Sequence, residues 1–275
     1  MQKIVLDDGF ELTEDNYYSL EANKRLMSVH QYIDFAGAIG IRGCESRALA
    51  KLNGEWEEEK SLAMQVGSYV DSYFEGTLNK FKKANPDLFT QKGELKAPFK
   101  QAEKMIAKAT GDELFMKYMS GEKQRIMTGY LFGCDWKIKM DSYIEDVCIT
   151  DLKTSSSDLH KAWRVADTGY VSCAEYWGYT LQGAIYQKIV EINTGKKLPF
   201  YLAFVTKEDY PEICIVNIDQ MTLDHALNEI EMNMPSVLAV KNGETEPISC
   251  GKCDYCKSKM KLTGVISMQD LIMEG

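Results

Sequence analysis

Two consecutive β-patterned runs joined by a short acidic turn constrain this chain more than any other feature. From Ile126 to Asp141 apolar and polar residues alternate, with Trp136, Ile138 and Met140 on one side and Lys137, Lys139 and Asp141 on the other. Glu145-Asp146 then supplies a turn, and the β-branched run VCITDLKT follows. Period-two alternation interrupted by a turn is the pattern of an antiparallel hairpin. Within the second run Asp151 and Lys153 stand two apart, so both side chains leave the same face, behind Val147 and Ile149. A face that is apolar and then carries a carboxylate and an ammonium is leaving the core and entering a cleft.

Helical patterns surround this hairpin. Ser28 with Gln31 three residues on forms a capping-box pattern opening a short helix, and the Gly-rich stretch GAIGIRGCES brings Cys44 to the start of another. The longest amphipathic pattern runs from Lys60 to Lys83, and a further helical stretch lies near Lys100 to Ala109. Downstream, TSSSDLHKAWRVADTG reads as a loop and Ala174 to Asn193 as a long helix closed by Gly195. Phe200 to Val205 and Ile213 to Ile218 form a second strand pair, and a last helix from near Thr222 is broken or kinked at Pro235. This order predicts an α/β fold, a small mixed sheet flanked by helices with a helical N-terminal portion. The 275 residues suit one domain, with an N-terminal helical portion (1–60), a core (61–240) and a cysteine-containing tail (241–275).

Composition narrows the class. Hydrophobic residues are 45% and charged residues 27%, no stretch approaches the ~18 apolar residues of a membrane span, and MQKIVLDDGFELTEDNYYS has acids where a signal peptide needs an apolar run. The expectation is a cytoplasmic protein with no membrane partner. A net charge of −9 argues against non-specific nucleic-acid binding. The charge is segregated, however. Eight lysines, including Lys80, Lys82, Lys83, Lys96 and Lys100, face three acids between Asn79 and Lys108, and four, including Lys252 and Lys257, face only Asp254 between Cys250 and Leu262. A basic surface on an acidic body suits an anionic polymer; a solvated lysine-rich helix face accounts for the same counts.

The chemistry gathers around the hairpin. Pairing can bring Asp141, on the partner strand, within reach of Asp151. Two carboxylates and a lysine at one strand end suit a hard divalent cation and an activated water, the parts that phosphodiester hydrolysis needs. Gly67, Asp71 and Glu75 fall at steps of four and make one polar stripe on an otherwise apolar helix. Gln182 and Tyr186 are likewise four apart, opposite Leu181, Ile185, Ile189 and Ile192. Acids on a buried helix are costly unless paired, hydrogen-bonded or bound to metal. Core packing for Tyr186 and a surface place for Gln182 are the plain alternatives.

Taken in order, Gly67, Asp71 and Glu75 on a helix, then Asp141, then Asp151-x-Lys153, then Gln182-x-x-x-Tyr186 resemble the PD-(D/E)XK nuclease superfamily. Within it the pattern is similar to the RecB/RecE-type branch, and especially to phage RecE-like exonucleases. The likeness runs from about Asn16 to the C-terminus and includes YYSLEANKRLMSVHQYIDF and Cys44-Glu45. It implies a restriction-endonuclease-like core at 61–240 and a Mg²⁺- or Mn²⁺-dependent exonuclease acting on duplex DNA ends in phage-type recombination. A RecT-type single-strand-annealing protein would be its partner, and a homo-oligomer would be in keeping. Asp71, Asp141 and Asp151 would be metal ligands, Lys153 would stabilise the attacking water or the phosphate, and Glu75 would be a further acid. Gln182 and Tyr186 would support the site. Asp71 stands where many RecB-type enzymes have a metal-binding His, and no catalytic role falls to His30, His160 or His225. A non-catalytic DNA-binding scaffold that retains the fold, and a nicking or adaptation-type endonuclease, are the rival readings.

Cys250, Cys253 and Cys256 place three thiols in C-x-x-C-x-x-C spacing, which suits zinc or an iron–sulfur cluster. The fourth ligand must come from elsewhere, and Cys44 is the other cysteine in a Gly-rich, loop-like setting. Cys134, Cys148, Cys173 and Cys214 read as small core side chains. One early cysteine joined to three late ones resembles the [4Fe–4S] staple of AddB-type and CRISPR-associated nucleases, though their last gap is generally longer. On this resemblance [4Fe–4S] is favoured, with zinc as the alternative.

Overall fold

The computed structural model describes residues 2–155, 158–166, 168–262, 264–265 and 267–271. The N-terminal portion carries the strand pair β1 (Lys3–Val5) and β2 (Glu11–Thr13), helices α1 (Leu20–Arg25) and α2 (Val29–Ala36), the pair β3 (Gly37–Ala38) and β4 (Ile41–Arg42), and helix α3 (Glu45–Asn53). Ser28 caps α2 by accepting the Gln31 backbone N–H at 3.3 Å. The reciprocal half of the capping box is not used: the Gln31 side chain donates to the Asn23 carbonyl instead.

The amphipathic pattern from Lys60 to Lys83 forms two helices, α4 (Leu62–Phe74) and α5 (Leu78–Ala84), divided at Gly76 with φ +76°. Both halves press the same core, so the apolar period continues across a left-handed turn that periodicity cannot register. Helices α6 (Ala97–Thr110) and α7 (Glu113–Tyr118) complete this layer.

The alternating run at 126–141 is itself a hairpin, β5 (Arg125–Leu131) and β6 (Cys134–Met140). It turns at Phe132 and Gly133, whose φ values of +52° and +88° are the pair of positive angles a two-residue type I′ turn requires. Strand β7 (Ser142–Ile144) then pairs antiparallel with β8 (Cys148–Ser155) across the Glu145-Asp146 turn. The stretch after β8, expected as a loop, contains the antiparallel pair β9 (Trp163–Val165) and β10 (Gly169–Val171); Ser156, Ser157 and Asp167 of that stretch lie outside the described residues. The helix expected over 174–193 is divided into α8 (Cys173–Tyr176) and α9 (Tyr179–Thr194) at Gly178, φ +71°, where a Cβ would come within 2.9 Å of the Ala38 Cβ. Strand β11 (Phe200–Thr206) runs parallel to β8 and β12 (Ile213–Asn217) antiparallel to β11, giving the order β12-β11-β8-β7. Helix α10 (Gln220–Lys241) continues through Pro235. Pro235 and Glu231 are both exposed, so water can take the Glu231 carbonyl that proline leaves without an N–H. Helix α11 (Asp254–Lys259) follows in the tail.

Period-two alternation divides the sheet between two helical layers. Phe200, Leu202 and Phe204 of β11 pack in one core with residues of α2, α9 and α10, whereas Ala203 and Val205 pack in a second core with α4, α6 and α7. On β8, Ile149 belongs to the first core and Leu152 to the second, which sends Asp151 and Lys153 toward α9. Among the described residues, no helix is long and apolar enough to cross a membrane.

Candidate active site

In the β7–β8 ladder Ser142 pairs with Thr150 and Tyr143 with Ile149. One further step in that register sets Asp141 against Asp151. Oδ2 of Asp141 accepts the Leu152 backbone N–H at 2.8 Å, and Oδ1 accepts the Gln124 amide at 3.0 Å. Oδ2 of Asp151 meets Lys153 Nζ at 2.5 Å, and its Oδ1 accepts from Gln182 Nε2 at 2.8 Å. Lys153 also donates to Gln182 Oε1 at 2.8 Å and lies 4.5 Å from the centroid of the Tyr179 ring. Gln182 therefore closes a ring with both D-x-K side chains, and it is buried, not at the surface. The Tyr186 hydroxyl donates to the Lys139 carbonyl at 3.1 Å and ties α9 to β6. Val147, expected on the apolar side of this face, is 57% exposed in the turn before β8, so the apolar floor begins at Ile149.

Helix α4 approaches β8 closely because Gly67 carries no side chain; a Cβ there would lie 3.0 Å from Thr154 Oγ1. The same helix presents Asp71 and Glu75, which with Phe74, Gln124, Asp141 and Leu152 line a cavity of about 10 Å³. That is room for one ion or one water. Burial, then the neighbouring Asp141, raises the Asp71 pKa well above the usual carboxylate range. Burial, then Asp151, pushes Asp141 up to about 7, against the opposing pull of Lys153 and the two N–H donors. Burial alone would lower the Lys153 pKa; Asp151, then Tyr179, outweigh it and hold the ammonium above its ordinary value. Asp71, Glu75 and Asp141 line this space and Asp151 stands opposite Asp141 in the ladder register, a set of oxygen donors that suits a hard divalent cation. Gln124 belongs to the same lining, and its Oε1 is buried without a hydrogen-bond partner.

A larger cleft of about 650 Å³ is lined by residues that include Tyr18, His30, Lys137, Lys139 and Tyr186. Tyr17 and Tyr186, which also line it, feel the charge of Asp151, which sets the cleft beside the carboxylates. His30, given no role from sequence, is exposed on this cleft within reach of the charges of Lys153 and Asp151. Lys207 donates to Thr154 Oγ1 at 2.9 Å, and its lowering by burial is opposed by the charge of Asp71. Neither residue belongs to a motif, nor does Gln124. The parallel pairing of Thr206 with Ser155 is the feature that brings Lys207 in, and the Phe132-Gly133 turn sets the register that brings Gln124 in.

The lysine segments differ among themselves. Lys82 is engaged by Glu103 at 3.1 Å and by the Tyr69 ring at 5.2 Å. Lys100 pairs with Glu94 at 3.6 Å and Lys257 with Asp254 at 3.8 Å, both at exposed positions. Lys80, Lys83, Lys96 and Lys252 are exposed.

The four cysteines singled out from spacing come together. Cys44 stands at the start of α3, and its sulfur lies 3.6 Å from that of Cys256 and 3.7 Å from that of Cys253. Cys250 and Cys256 are 4.0 Å apart, and all four sulfurs lie within 4.8 Å of one another. Although burial opposes it, the N–H groups of Lys252 and Cys253 lower the Cys250 pKa to about 6, so this thiol is poised to bind as thiolate. Burial raises the pKa of Cys134, Cys148, Cys173 and Cys214, as suits unreactive packing thiols.

The family described as a PDDEXK-like domain of unknown function (DUF3799) matches residues 28–259. A crystal structure from Eubacterium rectale, described as "Putative exonuclease", is 57% identical over 96% of this chain and 98% of its own, with a TM-score of 0.93. A second solved structure, SSO0001, is 16% identical over 68% of this chain and 82% of its own; its TM-score of 0.27 carries no argument. No curated protein matches the chain.

Proposed function

The chain belongs to the PDDEXK-like DUF3799 family of the PD-(D/E)XK nuclease superfamily, and from that premise we propose that it is a divalent-metal-dependent exonuclease acting at duplex DNA ends. The observation that carries this reading is the ring of Asp151, Lys153 and Gln182 set beside Asp141 and Asp71 at one end of the sheet. A divalent cation bound there would neutralise phosphate charge and acidify water. Asp71, Asp141 and Asp151 would hold it. Lys153, kept protonated by Asp151, positions the attacking water or a phosphate oxygen. Water adds to phosphorus and gives up a proton to solvent as the P–O ester bond breaks, and the departing oxygen takes a proton from solvent and leaves as a hydroxyl. Gln182 holds Lys153 and Asp151 in register through that change.

The E. rectale relative's description as an exonuclease supports end-dependent digestion here. The experiment is digestion of end-labelled linear DNA and covalently closed DNA with Mg²⁺. Loss of the linear form alone is expected. Cutting of closed DNA would favour the nicking reading, and no cutting of either would favour a scaffold. By resemblance to RecE-like enzymes, the setting would be phage-type recombination with a RecT-type annealing partner, which co-purification with such a protein tests.

The four cysteines are proposed to hold one structural metal that fastens the tail to α3. With Zn–S bonds near 2.3 Å, a tetrahedral site spaces its sulfurs by about 3.8 Å. Three of the six sulfur separations, 3.6, 3.7 and 4.0 Å, suit that spacing, and all six lie within 4.8 Å. A cubane cluster puts four irons and four sulfides between its thiolates and needs them wider apart. Zinc is therefore the favoured metal and [4Fe–4S] the rival.

A further inference from the structure

Gln124 stands outside every motif of the site, yet its backbone and side chain are both unusual. Among the described residues, three that are not glycine have positive φ: Gln124 at +52°, Phe132 at +52° and Asp146 at +60°. Phe132 and Asp146 turn hairpins. Gln124 instead interrupts a ladder, between the Arg125–Met140 pair of β5–β6 and the bridge joining Glu122 to Tyr143. The register on both sides of the interruption places it opposite Asp141. A left-handed glutamine costs on the order of 1 kcal/mol and persists only where the surroundings hold it.

The side chain shows what that conformation achieves. Its Nε2 donates to Asp141 Oδ1 at 3.0 Å. Its Oε1 then has no hydrogen-bond partner and is shut off from solvent, and Gln124 lines the 10 Å³ cavity with Asp71, Glu75 and Asp141. Three carboxyl side chains and this amide meet at the cavity beside Phe74 and Leu152, and a buried carbonyl without a donor is costly. A cation would give the unpartnered carbonyl a partner, and amide carbonyls are suitable oxygen donors for Mg²⁺ and Mn²⁺.

We propose that Gln124 is the positioning residue of the metal site, fixing Asp141 through Nε2 and giving the cation a neutral oxygen donor through Oε1. The inference rests on the reading of this cleft as the metal site. A neutral donor adds an oxygen without adding further negative charge to a lining that already holds Asp71, Glu75 and Asp141.

Mn²⁺ titration followed by electron paramagnetic resonance, without DNA, tests this on the wild-type chain, Gln124→Gly and Asp141→Asn, with thermal unfolding of each. Glycine adopts positive φ without strain, so Gln124→Gly should keep or raise its melting temperature while Mn²⁺ affinity falls roughly tenfold or more. Mn²⁺ affinity unchanged in Gln124→Gly, with Asp141→Asn impaired, would overturn the role of Gln124 and leave the cleft as the metal site. Unchanged affinity in Asp141→Asn as well would remove the metal-site reading itself. Should the glycine variant not fold, Gln124→Asn, which tolerates the left-handed region and is one methylene shorter, carries the same comparison.

Discussion

Gln182 donates to Oδ1 of Asp151 at 2.8 Å while its own carbonyl accepts from Lys153, so one neutral amide holds both ends of the D-x-K ion pair. Asp151 and Lys153 already touch at 2.5 Å. The amide therefore adds orientation more than attraction, keeping the ammonium from swinging away from the cleft. Replacing Gln182 by Leu removes two charge-assisted hydrogen bonds in a buried place, which costs about 1–3 kcal/mol each way. Cleavage should fall roughly tenfold to a hundredfold in single-turnover assays, and Gln182→Glu should not rescue it because a second carboxylate would face Asp151. Full activity in the Leu variant would remove Gln182 from the site.

Lys153→Ala should abolish cleavage, and the ring around Lys153 adds a second expectation. Deleting the ammonium leaves Asp151, 4% exposed, without its counter-charge. Breaking a buried pair from one side costs about 3–5 kcal/mol. The variant should therefore unfold at lower denaturant concentration, and Asp151→Asn combined with it should recover much of that loss without recovering activity. A variant with wild-type cleavage would sink the mechanism.

Much of this site was legible in the sequence because it depends on short-range geometry. Strand alternation alone puts Asp151 and Lys153 on one face, helix spacing puts Asp71 above Glu75, and C-x-x-C-x-x-C brings three sulfurs together. Gln124 and Lys207 depend on something else. One needs the register set by a turn eight residues downstream and a left-handed backbone; the other needs β11 to lie parallel to β8, a pairing made across the whole α8–α9 crossover. His30 reaches the cleft through the packing of α2, which no local pattern encodes. The helix breaks at Gly76 and Gly178 were hidden for the opposite reason, since the apolar period runs straight through them.

The lysines of the helical layer should separate into two classes. Neutralising Lys80, Lys83 and Lys96 together should weaken DNA binding and lower the slope of log affinity against log salt by about one for each phosphate that is no longer neutralised. Lys82→Ala should leave that slope nearly unchanged, because Glu103 and the Tyr69 ring already occupy its ammonium. An unchanged slope in the triple variant would mean that these lysines only solvate the surface.

Cys44→Ala should cost the protein its cysteine-bound metal and much of the fastening between α3 and the tail. Closing so long a loop stabilises by up to roughly 5 kcal/mol on the chain-entropy model used for disulfides. A fall in melting temperature with loss of about one zinc per chain is expected, with nuclease chemistry retained by the folded fraction. Protein purified anaerobically should be colourless and contain zinc. Iron with acid-labile sulfide and visible absorption would establish the cluster instead, and sulfurs free of any metal would end the staple.

Lys137 is 1% exposed and donates to the Tyr17 carbonyl and, at 2.7 Å, to Asn23 Oδ1. Both acceptors are neutral. Burial, then the charge of Lys241, lowers its pKa from 10.5 to about 8. Between about pH 8 and 10.5 the unfolded chain holds a proton on this lysine that the folded chain has released, so stability rises with pH across that window. Below pH 8 both states are protonated and the penalty is constant, at most roughly 3 kcal/mol for a shift of this size. Lys137→Met should therefore flatten the alkaline rise by about one proton in denaturant titrations at several pH values. Near pH 7 its net effect on stability should be small, because the lifted penalty is offset by two acceptors left without a donor. An undiminished rise between pH 8 and 10 would show that Lys137 keeps an ordinary pKa in the fold.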